Sequence, residues 1–247
     1  MSRIEITRFP PSDYLCEEAM NTLCTNLSYC GADVRTVMVT SRYAREGKSY
    51  VCMNLLRSLS RLGRRVALVD ADLRASGIQS HYSLRFPDRR RLGLTDYLAG
   101  KCEAEDALYE SDLPGAWLIP AGHEAPNPLQ LLITDRMEKL LIMLRQRFDT
   151  VLIDTPPGGI IADAIALGRY CDGALIVVSY RRGKKSDIGE LSANLKRTGC
   201  HVLGAVLNGV NFGRLSNRRY YYNSERYSSY RYRKYGDRYG GGKDAHA

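Results

Sequence analysis

The sequence predicts an α/β fold: a doubly wound, mostly parallel sheet with helices on both faces. Three observations predict it. Short runs of nearly continuous Val, Ile and Leu, such as Val151-Leu152-Ile153, read as strands covered on both faces. These runs alternate with segments of helical spacing, the pattern of repeated βα units. Two runs end in aspartate, and another leads through a short loop into Gly47-Lys48-Ser49, which places polar chemistry at the strand C-terminal ends where such sheets bind ligands.

The elements follow in order. Strands are expected over 36–40, 66–70, 117–120, 151–154, 174–179 and 203–208, where β-branched and aliphatic residues cluster. Val51, Leu55, Leu59 and Leu62 keep one face of a helix, and Gly63 follows as its C-terminal stop. Leu129, Leu132, Leu140 and Leu144 mark another helix, begun near Pro126-Asn127-Pro128. Trp117 reads as a core or strand-edge residue, and Cys52, Cys171 and Cys200 as small core hydrophobes. His81 and His123 lie in polar contexts and are expected to face solvent, while Asp163 is placed to cap a helix.

Composition narrows the class. A chain of 247 residues can build a core without disulfides or structural metal. The seven cysteines form no CxxC pair and the four histidines are scattered, so a zinc ribbon and a secreted disulfide scaffold are excluded. No apolar run approaches the roughly 18 residues of a membrane span, and residues 1–10 do not read as a signal peptide. A reduced, cytoplasmic protein is expected.

The net charge of +9 is uneven. Residues 214–247 carry seven Arg and two Lys against three acids, so 9 − 3 = +6 of it lies there. Eight of the 17 tyrosines fall in the same stretch: Tyr220, Tyr221, Tyr222, Tyr227, Tyr230, Tyr232, Tyr235 and Tyr239. With almost no aliphatic residue beyond Leu215, it cannot offset its ordering entropy by burial. The expectation is a folded domain over 1–213 and a disordered Tyr/Arg-rich tail over 214–247.

The chemistry gathers at three strand ends. Gly47-Lys48-Ser49 between a strand and a helix supplies the end of a phosphate-binding loop, with Lys48 for the β/γ-phosphates and Ser49 for Mg²⁺. Taken alone, an ordinary lysine at a helix start would explain it. The full pattern also asks for Gly or Ala at position 42, where this chain has Arg42. Asp70 and Asp72 close one strand and Asp154 another; each alone would pass as a turn or cap aspartate. Three carboxylates clustered with a phosphate loop point instead to ATP·Mg²⁺ in a P-loop NTPase type of fold.

The order Gly47-Lys48-Ser49, Val69-Asp70-Ala71-Asp72-Leu73-Arg74, Val151-Leu152-Ile153-Asp154-Thr155-Pro156-Pro157, Val206-Leu207-Asn208 resembles the bacterial tyrosine kinases of capsule and exopolysaccharide synthesis. It is similar, more distantly, to the MinD/ParA partition ATPases. The kinase resemblance spans about residues 10–213 and includes Gly93-Leu94-Thr95-Asp96-Tyr97-Leu98-Ala99-Gly100 and Pro126-Asn127-Pro128. It implies an ATP-dependent autokinase whose C-terminal tyrosines are the phosphoacceptors. Glu46, Gly47, Lys48, Ser49, Tyr50 and Asn208 would bind nucleotide, Asn208 at the adenine. Ser49, Asp70, Asp72 and Asp154 would lie at the metal, with Asp70 as base or orienter of the phenol and Lys48 on the transferring phosphates.

The implied partners are a separate transmembrane activator of the chain-length-regulator type, which recruits the protein to the inner face of the membrane, and a phosphotyrosine phosphatase. No nucleic acid is expected, although arginine-interleaved tyrosines are also what stacks on bases. The alternatives are a MinD/ParA-like ATPase, disfavoured because Tyr43 stands at the signature lysine, and a non-catalytic nucleotide-binding scaffold. The scaffold draws on two departures. Ala44-Arg45 replaces the family's Pro-Gly, and the first helix carries Glu18, Asn21, Cys24 where the family has Glu, Arg, Arg for subunit contacts. Weakened homo-oligomerisation is expected.

Overall fold

The computed structural model describes residues 2–210. The eight tail tyrosines and the boundary at 213/214 lie outside the described residues.

A short strand β1 (Glu5–Ile6) leads into helix α1 (Tyr14–Ser28), whose N-terminus is capped by Asp13 accepting from the Cys16 amide at 2.8 Å. Strand β2 (Thr36–Ser41), helix α2 (Lys48–Arg61) and strand β3 (Val66–Asp70) form the first βαβ unit, both of its strands wholly buried. Helix α3 (Ile78–His81), strand β4 (Leu84–Arg85), helices α4 (Leu94–Leu98) and α5 (Ala104–Ala107), and strands β5 (Tyr109–Glu110) and β6 (Ala116–Ile119) follow. The remainder is α6 (Pro128–Leu132), α7 (Asp135–Arg147), β7 (Thr150–Asp154), α8 (Ala162–Gly168), β8 (Gly173–Ser179), α9 (Lys185–Lys196) and β9 (His201–Asn208).

The main sheet has seven strands in the order β5-β6-β3-β7-β2-β8-β9, parallel except for β5, and β1 pairs with β4 in a separate antiparallel ribbon. All six expected strands are present within two residues. The three two-residue strands escaped notice because they are too short to show a period. One expectation is corrected. Leu129 to Leu144 is not one helix but two, α6 and α7, broken at Ile133-Thr134, where Thr134 is extended (φ −79, ψ 157). The leucine spacing runs through the break because both helices face the same core.

Two apolar layers cover the sheet. Met38, Val69, Ile153 and Ile176 join α4, α7, α8 and α9 on one side; Val39, Leu68, Leu152 and Val177 join α2 on the other. Alternate residues of each strand thus serve opposite cores. Cys52, Cys171 and Cys200 are buried as expected, and burial pushes their thiols up in pKa. Cys24 is buried too, at 3 % exposure against α2, so this position of the Glu18–Asn21–Cys24 row faces inward while Glu18 and Asn21 are exposed. An arginine at 24 would be buried in this fold, which corrects the view of that row as one surface stripe. Trp117 is half-buried, tilted against Phe148 at 6.0 Å.

Asp172 clips the N-terminal end of the sheet. Its carboxylate accepts from the amides of Arg35 (2.9 Å) and Thr36 (2.7 Å) and from Arg145 (2.6 Å). Burial alone would raise its pKa, but these donors outweigh burial and hold it below the usual range. Because the folded pKa is depressed, the stabilisation is present above about pH 4 and lost as pH falls through the folded pKa. Asp172→Asn is expected to cost about 1–2 kcal/mol at pH 7, discounted for partial exposure of the pair. In urea unfolding, the gap between variant and wild type should close at acid pH; a gap that persists there would mean packing, not charge, is responsible.

Candidate active site

The adjacency β3-β7-β2 builds the site. In the parallel register Asp70 lies opposite Asp154, and Asp154 opposite Val39, so both carboxylates stand beside the loop that leaves β2. That loop ends at Gly47, which caps α2 in the left-handed region (φ 95, ψ 28) and offers no side-chain acceptor to the helix. The first-turn amides of a 14-residue helix are therefore free for an anion. A Cβ at Gly47 would come within 1.9 Å of the Asn208 amide nitrogen, so only glycine fits.

Lys48 is buried at the first position of α2 and acts electrostatically on Asp154. Burial pushes the Asp154 carboxyl up to about 6, against the opposing Ser49 hydroxyl and Lys48 charge. Ser49 and Cys52 hydrogen-bond this carboxylate, yet its Oδ1 is buried without any partner. Asp70 is raised well above the carboxylate range, first by burial and then by the charge of Asp154. It accepts from the Ser76 hydroxyl and from the Asp72 amide at 3.3 Å. Asp72 is half-buried and accepts from the Ala75 amide at 3.1 Å, closing a turn.

An orphaned carboxylate oxygen beside a serine hydroxyl fits a divalent cation. Among the described residues no group of three or more His, Cys, Asp and Glu could hold a metal by itself. Mg²⁺ takes one or two carboxylates and completes its shell with water and phosphate oxygens.

Other expected site residues serve differently. The Glu46 carboxylate is buried and braces the loop, accepting from the amides of Tyr43 (2.9 Å) and Ser179 (3.1 Å). The Asn208 side chain donates to the Glu46 carbonyl at 2.9 Å, tying the end of β9 to the loop. The Tyr50 side chain turns away, its hydroxyl 3.2 Å from the Cys16 thiol on α1, so only its backbone remains at the loop. Arg42 pairs with Glu190 at 2.8 Å and packs on Gly159, where a Cβ would meet its Cδ at 2.2 Å. It is tied to α9 through one guanidinium nitrogen, while its Nε is buried without a partner. Arg45 is exposed in the left-handed region (φ 63), at a cost of about 1 kcal/mol that glycine would avoid.

Sequence reasoning missed two pairs. Asp163 does not cap α8; it is buried and receives Arg74 at 2.7 and 3.0 Å, fixing the loop after β3. His123 is partly exposed, as expected, but its Nδ1 lies 2.9 Å from buried Asp96, which also accepts from the Gly93 amide at 3.0 Å. Gly93 and Gly122 meet backbone to backbone there, and a Cβ on Gly93 would come within 2.4 Å of the Gly122 nitrogen. Both pairs span more than 25 residues, so no local pattern announces them. A cavity of about 630 Å³ among Cys24, Leu27, Arg35, Leu62 and Asp149 lies at the opposite, N-terminal end of the sheet and takes no part in this site.

Known proteins similar to this chain share its fold and family. A protein-family profile described as an AAA domain matches residues 35–203. Tyrosine-protein kinase CpsD of Streptococcus pneumoniae serotype 4 is 33% identical over 192 residues, covering 78% of this chain and 83% of its own. The kinase domain of the Escherichia coli tyrosine kinase ETK superposes with a TM-score of 0.74 and 29% identity, over 79% of this chain and 76% of that one. The septum site-determining protein MinD of Pyrococcus horikoshii OT3, complexed with Mg-ADP, gives 0.59 and 25% identity, over 70% of this chain and 69% of that one.

Proposed function

The chain belongs to the bacterial tyrosine-protein kinase family, and on that premise we propose that it phosphorylates its own C-terminal tyrosines from ATP·Mg²⁺ in the synthesis and export of capsule or exopolysaccharide. The observation that carries the site assignment is the buried, unpartnered Asp154 Oδ1 beside Ser49 and Lys48, with Asp70 on the neighbouring strand. Phosphoryl transfer needs mainly positioning and charge neutralisation, which these groups are arranged to supply.

In this assignment Gly47 and the first turn of α2 cradle the phosphates, and Lys48 meets the transferring group. Ser49, Asp154 and Asp72 would hold Mg²⁺, which would neutralise phosphate charge. The acceptor phenol oxygen bonds to the γ-phosphorus as the bond to the β-bridging oxygen breaks. The phenol proton passes to Asp70, and ADP leaves. A carboxylate whose proton affinity is raised by burial and by Asp154 suits that role. Asn208 completes the nucleotide site at the adenine.

The partition-ATPase reading is less supported: at the position of the signature lysine, Tyr43 hydrogen-bonds Asp187 at 3.3 Å. Among the described residues no helix is long and apolar enough to cross a membrane. Membrane recruitment is assigned to a separate transmembrane activator, and reversal to a phosphotyrosine phosphatase, on the family resemblance.

Transfer is expected to run between subunits. From 214 to Tyr239 a fully extended chain spans about 80–90 Å, and a flexible one averages roughly 25–30 Å. Isotope-labelled Lys48→Met chain, mixed with unlabelled active chain and activator, should gain phosphotyrosine between Tyr220 and Tyr239. A labelled tail that stays unmodified while the active chain modifies itself would show transfer within one subunit.

A further inference from the structure

Beside the catalytic carboxylates lies an open crevice of about 610 Å³. One wall is the loop after β3, including Asp72, Arg74 and Ser76; the facing wall is the loop after β6, with Gly122, His123 and Glu124. Asp70, the carboxylate assigned to the phenol proton, is buried directly behind this wall, where Ser76 and the Asp72 amide both hydrogen-bond it. Its volume suits one aromatic side chain and a neighbour.

The charges lining it are mostly committed. Arg74 is held by Asp163, His123 by Asp96, and Asp72 closes its own turn. Glu124 is exposed on the rim and has no ion-pair partner among the described residues. Its loop is held rigidly by the Gly93–Gly122 contact and by Asp96. The open side of the crevice therefore presents a carboxylate with no ion-pair partner among the described residues, next to the anchored His123.

The tail carries a complementary pattern. Five of its eight tyrosines directly follow a basic residue: Arg219-Tyr220, Arg226-Tyr227, Arg231-Tyr232, Lys234-Tyr235 and Arg238-Tyr239. Tyr221, Tyr222 and Tyr230 follow Tyr, Tyr and Ser. In an extended peptide successive side chains leave on opposite faces. A phenol turned to the floor of the crevice thus leaves the preceding cation at the rim, within reach of Glu124.

We propose that the crevice receives the tail of a second copy of this chain, and that Glu124 selects tyrosines preceded by Arg or Lys. This deepens the kinase assignment and rests on it. Glu124 is a specificity residue; the chemistry stays with Lys48, Asp70 and Asp154. A charge pair at an exposed rim favours the basic-preceded tyrosines by about three- to fivefold, and reversing the charge should remove or invert that preference.

The test uses full chains throughout. Isotope-labelled Lys48→Met chain serves as acceptor for unlabelled wild type, Glu124→Gln or Glu124→Lys, and early phosphorylation is quantified at each tyrosine by mass spectrometry. Wild type should fill Tyr220, Tyr227, Tyr232, Tyr235 and Tyr239 ahead of Tyr221, Tyr222 and Tyr230. Glu124→Gln should flatten the order and Glu124→Lys reverse it. In the acceptor, Arg226→Glu should slow Tyr227 with wild-type kinase and be rescued by Glu124→Lys, which a merely structural role would not produce. Normal total incorporation with an unchanged site order in all three kinases would overturn the inference alone. No phosphotyrosine on any tail would overturn the kinase assignment and this inference with it.

Discussion

Lys48→Met is expected to lower phosphotransfer by about two to three orders of magnitude while the protein stays folded. Lys48 opens α2, is buried at 7 % exposure, and its charge already acts on Asp154. In the proposed reaction that charge would meet the phosphoryl group in a water-poor site, where a fixed cation is worth far more than in solution. Methionine keeps nearly the same length and helix propensity, so the loss is electrostatic and not conformational. Phosphotyrosine formation, read beside thermal melting, separates the two. Near-normal transfer in a folded variant would remove the phosphate-loop assignment.

Asp154→Asn should produce a paired and opposite effect. Without ligand, the variant is expected to melt no lower than wild type, because a carboxylate strained by burial and by neighbouring Asp70 and Asp72 has been neutralised at constant shape. With ATP·Mg²⁺, the wild type should gain stability by mass action and the variant should gain little. Transfer should fall at least about a hundredfold, since the metal loses the oxygen that has no partner inside the protein. Melting with and without ATP·Mg²⁺ tests this directly. An equal ligand-induced shift in both proteins would make Asp154 structural. Asp70→Asn, by contrast, should bind nucleotide and still lose transfer.

The placement of the candidate site residues at strand ends was legible in the sequence. The strand runs, the glycine and lysine before α2, and the aspartates at the ends of β3 and β7 are all local signals. A parallel sheet with right-handed crossovers brings such ends to one edge. Helical spacing located α2 correctly for the same reason: one turn of helix depends on residues three and four apart.

What the chain could not reveal locally was which partner each polar or half-polar residue would find. Glu46 braces the loop through Ser179, 133 residues away. Arg74 is fixed by Asp163, His123 by Asp96, and the Tyr50 hydroxyl turns to Cys16 on α1. Cys24 faces inward although its neighbours Glu18 and Asn21 mark an exposed row, because α1 packs on α2 and its buried face carries Met20 and Cys24. Thr134 breaks a leucine pattern that continues across it. The amino-acid sequence by itself determined the sheet, the phosphate loop and the identity of the charged groups, since these follow from periodicity and residue chemistry. Only the tertiary structure decided which charges are spent on one another and which, like Asp154 Oδ1 and Glu124, find no partner among the described residues. That division depends on distances between segments far apart in the chain, and no local pattern encodes them.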